Sequence, residues 1–243
     1  GAAGLEMVMA CVEAMVKEMV KAAVGLDAQD RHSARAVQDM HLLLGTDHPA
    51  DTLRAQAGLD RTWPRITYTE AVARVRAHAQ AHPDAFSEVP TWGDSLRSEH
   101  ERWLAAEAGT PVFVTDYPSM QKPFYMRENE EPVRLTEEVA PGRAGEEQVT
   151  VACFDLLVPQ MGELAGGSLR EEREAVLHAR MQSHGMNTES GPLQWYKEDL
   201  RRYGGAPHGG YGLGMERLLS WVTHMDNVRD IVGFPRVKGK LRY

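Results

Sequence analysis

Pro207-His208-Gly209-Gly210-Tyr211-Gly212-Leu213-Gly214-Met215-Glu216-Arg217-Leu218-Leu219 is the stretch whose reading decides the fold. Glycines at 210, 212 and 214 alternate with larger residues, the pattern of a strand whose bare positions admit another backbone or a flat ligand. From Met215 to Val222 the apolar residues take helical spacing, which puts Arg217 in the first turn of a helix. A cation there opposes the helix dipole, whereas a guanidinium beside a bare backbone floor suits a nucleotide phosphate. A Gly-rich turn before a core helix, with Arg217 in a surface ion pair, has the same local pattern, and glycine spacing alone does not choose between them.

Upstream, Phe154-Asp155-Leu156-Leu157-Val158-Pro159 leads to Gly162-Glu163-Leu164-Ala165-Gly166-Gly167-Ser168-Leu169-Arg170-Glu171-Glu172. An apolar strand carrying a carboxylate, then a double glycine and an arginine, is unusual for a plain core strand. A carboxylate here suits Mg²⁺, which takes few carboxylates plus phosphate oxygens. The arginine suits a bidentate contact with a planar polar group. A hairpin with Glu163 and Arg170 paired across it is the alternative.

Taken together these strings are more specific than either alone. The first resembles motif 3 of class II aminoacyl-tRNA synthetases. The second resembles the asparaginyl version of the aspartyl/asparaginyl subgroup. Phe113-Val114-Thr115-Asp116-Tyr117-Pro118 with Pro123-Phe124-Tyr125-Met126 agrees, as do Trp195-Tyr196-Lys197-Glu198-Asp199-Leu200-Arg201-Arg202-Tyr203-Gly204, Asn227-Val228-Arg229-Asp230 and Phe234-Pro235-Arg236. The resemblance is strongest from Trp92 to Arg236. It implies an α+β fold, an antiparallel sheet flanked by helices. It implies ATP and Mg²⁺ as cofactors, with asparagine and tRNA(Asn) as substrates of the intact parent enzyme, a homodimer in the cytoplasm. Residue by residue, it places adenine over Gly210, Gly212 and Gly214, the ATP γ-phosphate on Arg217, the Mg²⁺ on Glu163, and the substrate side chain on Arg170. Phe124 and Tyr125 are candidate pocket walls, with ordinary core packing the alternative for Phe124; Glu99 and Asp94 are candidate rim contacts.

The same resemblance exposes a gap. Motif 1, motif 2 and an anticodon-reading OB-fold barrel are not found, and Gly1-Ala2-Ala3-Gly4 reads as a trimmed start. The expectation is therefore an incomplete class II catalytic domain over residues 1–243, the C-terminal part of a larger enzyme, with a possible helical insertion at 27–60. Adenylate formation needs a cation at the α-phosphorus, so the chain alone is expected to be inactive and to expose an open sheet edge. Three alternatives stay open: an aspartyl-tRNA synthetase, an amide-forming synthetase relative, or a non-catalytic synthetase-derived binding module.

Composition bounds these readings. The chain has 243 residues, 42% of them hydrophobic, a size that buries a sizeable core. There is no apolar run of membrane-spanning length and no signal peptide. Two distant cysteines, Cys11 and Cys153, argue for a reducing compartment and against a cysteine zinc site. The net charge of −8 lacks the basic footprint of an autonomous nucleic-acid module.

The remaining pattern predicts an amphipathic helix over Leu5–Val24, with Glu13 and Lys17 spaced to pair. Asp27–Leu59 is polar, with Pro49 as a break. A strand at Arg65 runs into a helix capped by Thr67 and Glu70, and Ser98–Glu101 repeats that capping pattern before a helix closed by Gly109. Val112–Val114, Phe124–Met126 and Val149–Val158 read as strands of one antiparallel sheet, with an exposed acidic loop over Arg127–Glu147. Arg170–Gly185 and Trp195–Tyr203 read as helices.

Overall fold

The computed structural model describes residues 2–24, 35, 49–187, 190–236 and 239. Most of the expected 27–60 insertion and the basic tail beyond Arg236 lie outside them. The helix α1 is Ala2–Ala23 and α2 is Pro49–Ala57. Pro49 begins a helix rather than breaking one, as its fixed φ allows at a first helical position. Strand β1 (Arg65–Thr67) leads into α3 (Tyr68–Ala81), where Thr67 Oγ1 accepts the Glu70 N–H at 3.1 Å. Then come α4 (Ser98–Ala108), β2 (Val112–Thr115), the short pair β3 (Val133–Arg134) and β4 (Glu147–Gln148), β5 (Cys153–Val158) and β6 (Gly162–Leu169). The chain continues through α5 (Glu174–Ser183), α6 (Gln194–Arg201), β7 (Gly209–Leu213) and α7 (Met215–Thr223).

The main sheet has the order β1-β2-β5-β6-β7. It is antiparallel except for the parallel pair β1/β2. The inner strand β2 is buried on both faces and apolar up to Thr115, whereas the edge strand β7 is largely exposed. On one face α1 packs across β6 and β7, burying Val12, Val16, Phe113, Phe154, Leu156 and Trp221 in one cluster. On the other, α3 and α4 bury Tyr68, Val72, Leu104, Val112, Val114 and Leu157. Gly167 exists for a close approach: a Cβ there would lie 2.5 Å from Phe154 Cζ.

Five expected elements differ. Phe124–Met126 is a turn in which only Met126 bridges to Arg170, and Thr150 and Val151 make isolated bridges before β5 begins at Cys153. The acidic segment 127–147 is not simply an exposed loop: Leu135, Val139 and Ala140 are buried in the α3/α4 cluster, beneath the short β3/β4 hairpin. The helix expected from Arg170 begins at Glu174, because Arg170 still bridges to Met126 at the end of β6. Finally, α4 starts one residue earlier than the Ser98–Glu101 pattern implies. Its cap is Arg97, whose N–H donates to His100 Nδ1 at 3.1 Å.

The Glu13–Lys17 pair forms at 2.6 Å and is part of a buried cluster. Glu13 also accepts from Arg65 Nη1 at 2.6 Å and from the Trp63 N–H at 3.1 Å. Burial alone would raise its carboxyl, but the bonds from Lys17, Arg65 and Trp63 outweigh it and hold the pKa below the usual value. A depressed carboxyl stabilises the fold above its unfolded pKa and loses that contribution as pH falls through the folded value. Glu13→Gln is expected to cost roughly 1–2 kcal/mol at neutral pH. Urea unfolding should show the gap from wild type closing as the pH drops below the ordinary glutamate range. A gap independent of pH would mean that the charge is not what matters.

Candidate active site

The register of β5, β6 and β7 builds the site. Asp155 pairs with Gly166, and Gly166 with Gly212; Ser168 pairs with Gly210. Paired residues share a face and successive residues alternate, so Gly210 and Gly212 lie on the Asp155 side of the sheet. Tyr211, between them, turns to the other side and places its hydroxyl 3.2 Å from Met15 Sδ on α1. The glycine alternation thus leaves one face of β7 bare. A Cβ at Gly212 would meet nothing within 4 Å.

Over that face lies a cavity of about 520 Å³ lined by Lys122, Tyr125, Asp155, Glu163, Arg170 and Gly212, among others. The structure therefore brings Glu163, Arg170, Tyr125 and Gly212 together. Glu163 and Arg170 do not pair across the hairpin. Instead Arg217, in the first turn of α7, donates Nη1 to Glu163 O at 2.5 Å and lies 3.4 Å from Glu163 Oε2. Both side chains of this pair are about half exposed. Gly214 lies beside Arg217, and Gly210 under the Arg170 guanidinium.

Arg170 is held from its backbone: its N–H donates to His208 O at 2.9 Å, and the Glu171 N–H to Tyr125 O at 2.9 Å. Its guanidinium sits 4.5 Å over the Tyr125 ring. Among the described residues that guanidinium has no hydrogen-bond or ion-pair partner. A planar five-donor fork is thus stacked, aimed and left unpaired in a cavity. Phe124 instead packs with Leu177 and Met181 under α5.

Three further residues belong here. Lys122 Nζ lies 2.7 Å from Asp155 Oδ2 and 3.8 Å over the Tyr117 ring. Burial alone would lower the Lys122 pKa, but Asp155 outweighs it and holds the ammonium above its usual value. Burial, then Asp155, push the Tyr117 phenol well up. A second cavity of about 150 Å³ shares Lys122 and Asp155 and adds Glu101, Ser95 and Gln121. There the Glu163 N–H donates to Glu101 Oε2 at 3.3 Å. Burial first, and the nearby Glu163 and Asp155, raise the Glu101 carboxyl above its ordinary value.

Glu99 and Asp94 are turned elsewhere. Glu99 accepts from the Ser87 N–H and hydroxyl, and Asp94 closes its own turn by accepting from Thr91. Lys122 has no motif of its own in the sequence, and Asp155 reads there only as part of its strand. Glu101 was hidden by its place in a capping pattern. The signal for Lys122 was its place just ahead of Pro123-Phe124-Tyr125-Met126.

The donor set fits a hard cation. A Cβ at Gly166 would lie 3.1 Å from Asp155 Oδ1 and 3.2 Å from Glu163 Oε1, so two carboxylates lean over the same bare position. No group of three or more His, Cys, Asp or Glu residues arranged for a metal occurs among the described residues. Two carboxylates completed by phosphate oxygens is the environment Mg²⁺ accepts.

Comparison with known proteins identifies the family. The family model for class II tRNA synthetases (D, K and N) matches residues 2–238. An asparagine–tRNA ligase of Pseudoalteromonas translucida is 37% identical over 242 residues, 99% of this chain and 45% of the relative. One from Desulfotalea psychrophila is 45% identical over 187 residues, 76% of this chain and 36% of the relative. The chain thus spans less than half the length of these relatives. In structure it is similar to the asparaginyl-tRNA synthetase of Pyrococcus horikoshii complexed with asparaginyl-adenylate, with a TM-score of 0.70 and 31% identity, over 98% of this chain and 45% of that one.

Proposed function

The chain belongs to the family of class II tRNA synthetases (D, K and N), and from that premise we propose that it forms part of the catalytic domain of an asparagine–tRNA ligase. The enzyme activates asparagine with ATP and transfers it to tRNA(Asn). The observation that carries the reading is the unpaired Arg170 fork in one cavity with Glu163 and Asp155, over the bare face of β7.

Adenine lies on the Gly212 face of β7, and Arg217 leaves Glu163 to hold the distal phosphates. Glu163 and Asp155 would hold a Mg²⁺ ion, which would supply neutralisation of phosphate charge. Arg170 donates to the substrate's amide oxygen, while Glu101, reached through the smaller cavity, accepts from the amide N–H. Aspartate would bring a third carboxylate beside Glu101 and Asp155, so the pocket discriminates by repulsion as well as by fit. The asparagine carboxylate attacks the α-phosphorus, pyrophosphate leaves, and a tRNA ribose hydroxyl then takes the aminoacyl group from AMP. No side chain of the chain becomes covalently attached; rate comes from positioning and charge stabilisation. The reading extends to a homodimeric, cytoplasmic enzyme. Cys11 and Cys153 are unpaired, and no described helix is long and apolar enough to cross a membrane.

The test is amino-acid-dependent pyrophosphate exchange by the full gene product carrying this chain. Exchange supported by asparagine well above aspartate is expected; a preference for aspartate overturns the substrate assignment.

A further inference from the structure

The wall of the cavity opposite the sheet is a short 3-10 turn, Ser119–Gln121, and the non-strand backbone that follows it. Residues 119–125 carry Lys122 and Tyr125, yet join the sheet only through isolated bridges at Pro118 and Met126. Pro118 and Pro123 each remove a backbone donor, so the segment cannot be held by a ladder of its own.

Three of its carbonyls accept from one buried side chain. Arg180 on α5 donates Nε to Phe124 O at 3.1 Å, and Nη2 to Ser119 O and Pro123 O, each at 3.4 Å. Its Nη1 meets the Ser119 hydroxyl and the Glu128 carboxylate. Only 6% of the Arg180 side chain is exposed, and Glu128 neutralises it. A buried guanidinium therefore does for this segment what strand pairing does for β5 and β6. Arg180 is not among the residues lining either cavity.

We propose that Arg180 is a positioning residue of the amino-acid site: through Ser119, Pro123 and Phe124 it sets where Lys122 meets Asp155 and where Tyr125 supports Arg170. The proposal rests on the reading that this cavity takes the amino acid. Arg180→Lys is the informative variant. It keeps the charge opposite Glu128, but an ammonium lacks the fork needed to reach three carbonyls and a hydroxyl at once.

In the full gene product, Arg180→Lys should raise KM for the activated amino acid about tenfold or more, since misplacing a contact by an ångström is that costly. KM for ATP should stay close to wild type. In this chain by itself, hydrogen exchange of residues 119–126 should speed up while β5 and β6 stay protected. KM is read with whichever of asparagine or aspartate the wild type activates, so a wrong substrate assignment is told apart from a wrong role for Arg180. A lowered melting temperature with both KM values unchanged makes Arg180 merely structural and overturns the proposal. Should Arg180→Lys not fold, Glu128→Gln, which frees the Arg180 fork to shift, is read by the same KM split and the same exchange experiment. An unchanged KM and unchanged exchange there likewise overturn it.

Discussion

Arg170→Lys is expected to lower asparagine activation by about 10- to 150-fold, the equivalent of the 1.5–3 kcal/mol that a hydrogen bond to a charged group contributes. The geometry says why charge alone does not suffice. The Arg170 Cζ sits 4.5 Å from the centre of the Tyr125 ring, which supports the guanidinium from one side. The substrate's single carboxamide oxygen accepts from that guanidinium edge, which the planar fork fixes in direction; a lysine ammonium is a point donor on a flexible stem and does not stack. The backbone of residue 170 is pinned on both sides, by His208 O and through Glu171 to Tyr125 O, so a lysine cannot move to compensate. Because the guanidinium has no partner among the described residues, its replacement breaks no ion pair and should leave stability nearly unchanged. The checks are exchange kinetics beside a melting curve. Wild-type kinetics in Arg170→Lys would show that the fork does not read the substrate.

What the sequence made legible follows the physics of each element. The glycines of β7 were readable because period two is a strand's own signature and Tyr211 alternates with them. Glu163 and Arg170 were readable as unusual residues in an apolar strand, but their pairing was not. Which of Arg170 and Arg217 meets Glu163 depends on where α7 lies, a tertiary fact. Glu101 was masked by a local rule: Ser98–Glu101 reads as a capping box, yet His100 takes that role from one residue earlier. The Glu101 carboxylate is thereby released toward the Glu163 backbone. Residues 124–126 look like a strand by composition. They are not one: the Phe124 carbonyl is claimed by a side chain more than fifty residues away in the chain. In segment 127–147 average polarity concealed three buried residues, Leu135, Val139 and Ala140, which is how a mostly solvated hairpin stays docked.

Arg217→Ala should weaken ATP use by at least about 1.5–3 kcal/mol, or 10- to 150-fold, while leaving the fold as stable as before or slightly more so. The two halves of this expectation have different causes. In the structure Arg217 pairs with Glu163 at 3.4 Å, but both side chains are about half exposed, and such pairs contribute about 0–1 kcal/mol. Arg217 also stands in the first turn of α7, where a cation is disfavoured by the helix dipole by about 0.3–1 kcal/mol. Taken as part of the fold alone, the residue is close to neutral or a small liability. On the proposed function its placement would be accounted for by an anion meeting both the guanidinium and the α7 N-terminus, whose N–H groups favour negative charge. A triphosphate is such an anion, and a metal on Glu163 would take over the carboxylate that Arg217 gives up. The measurement is KM for ATP and exchange rate in Arg217→Ala and Arg217→Lys, set against urea unfolding of each. Loss of ATP use with stability kept, and partial return with lysine, is the expected pattern. If Arg217→Ala instead unfolds more easily and uses ATP normally, the arginine is a structural ion-pair partner and the phosphate has its anchor elsewhere.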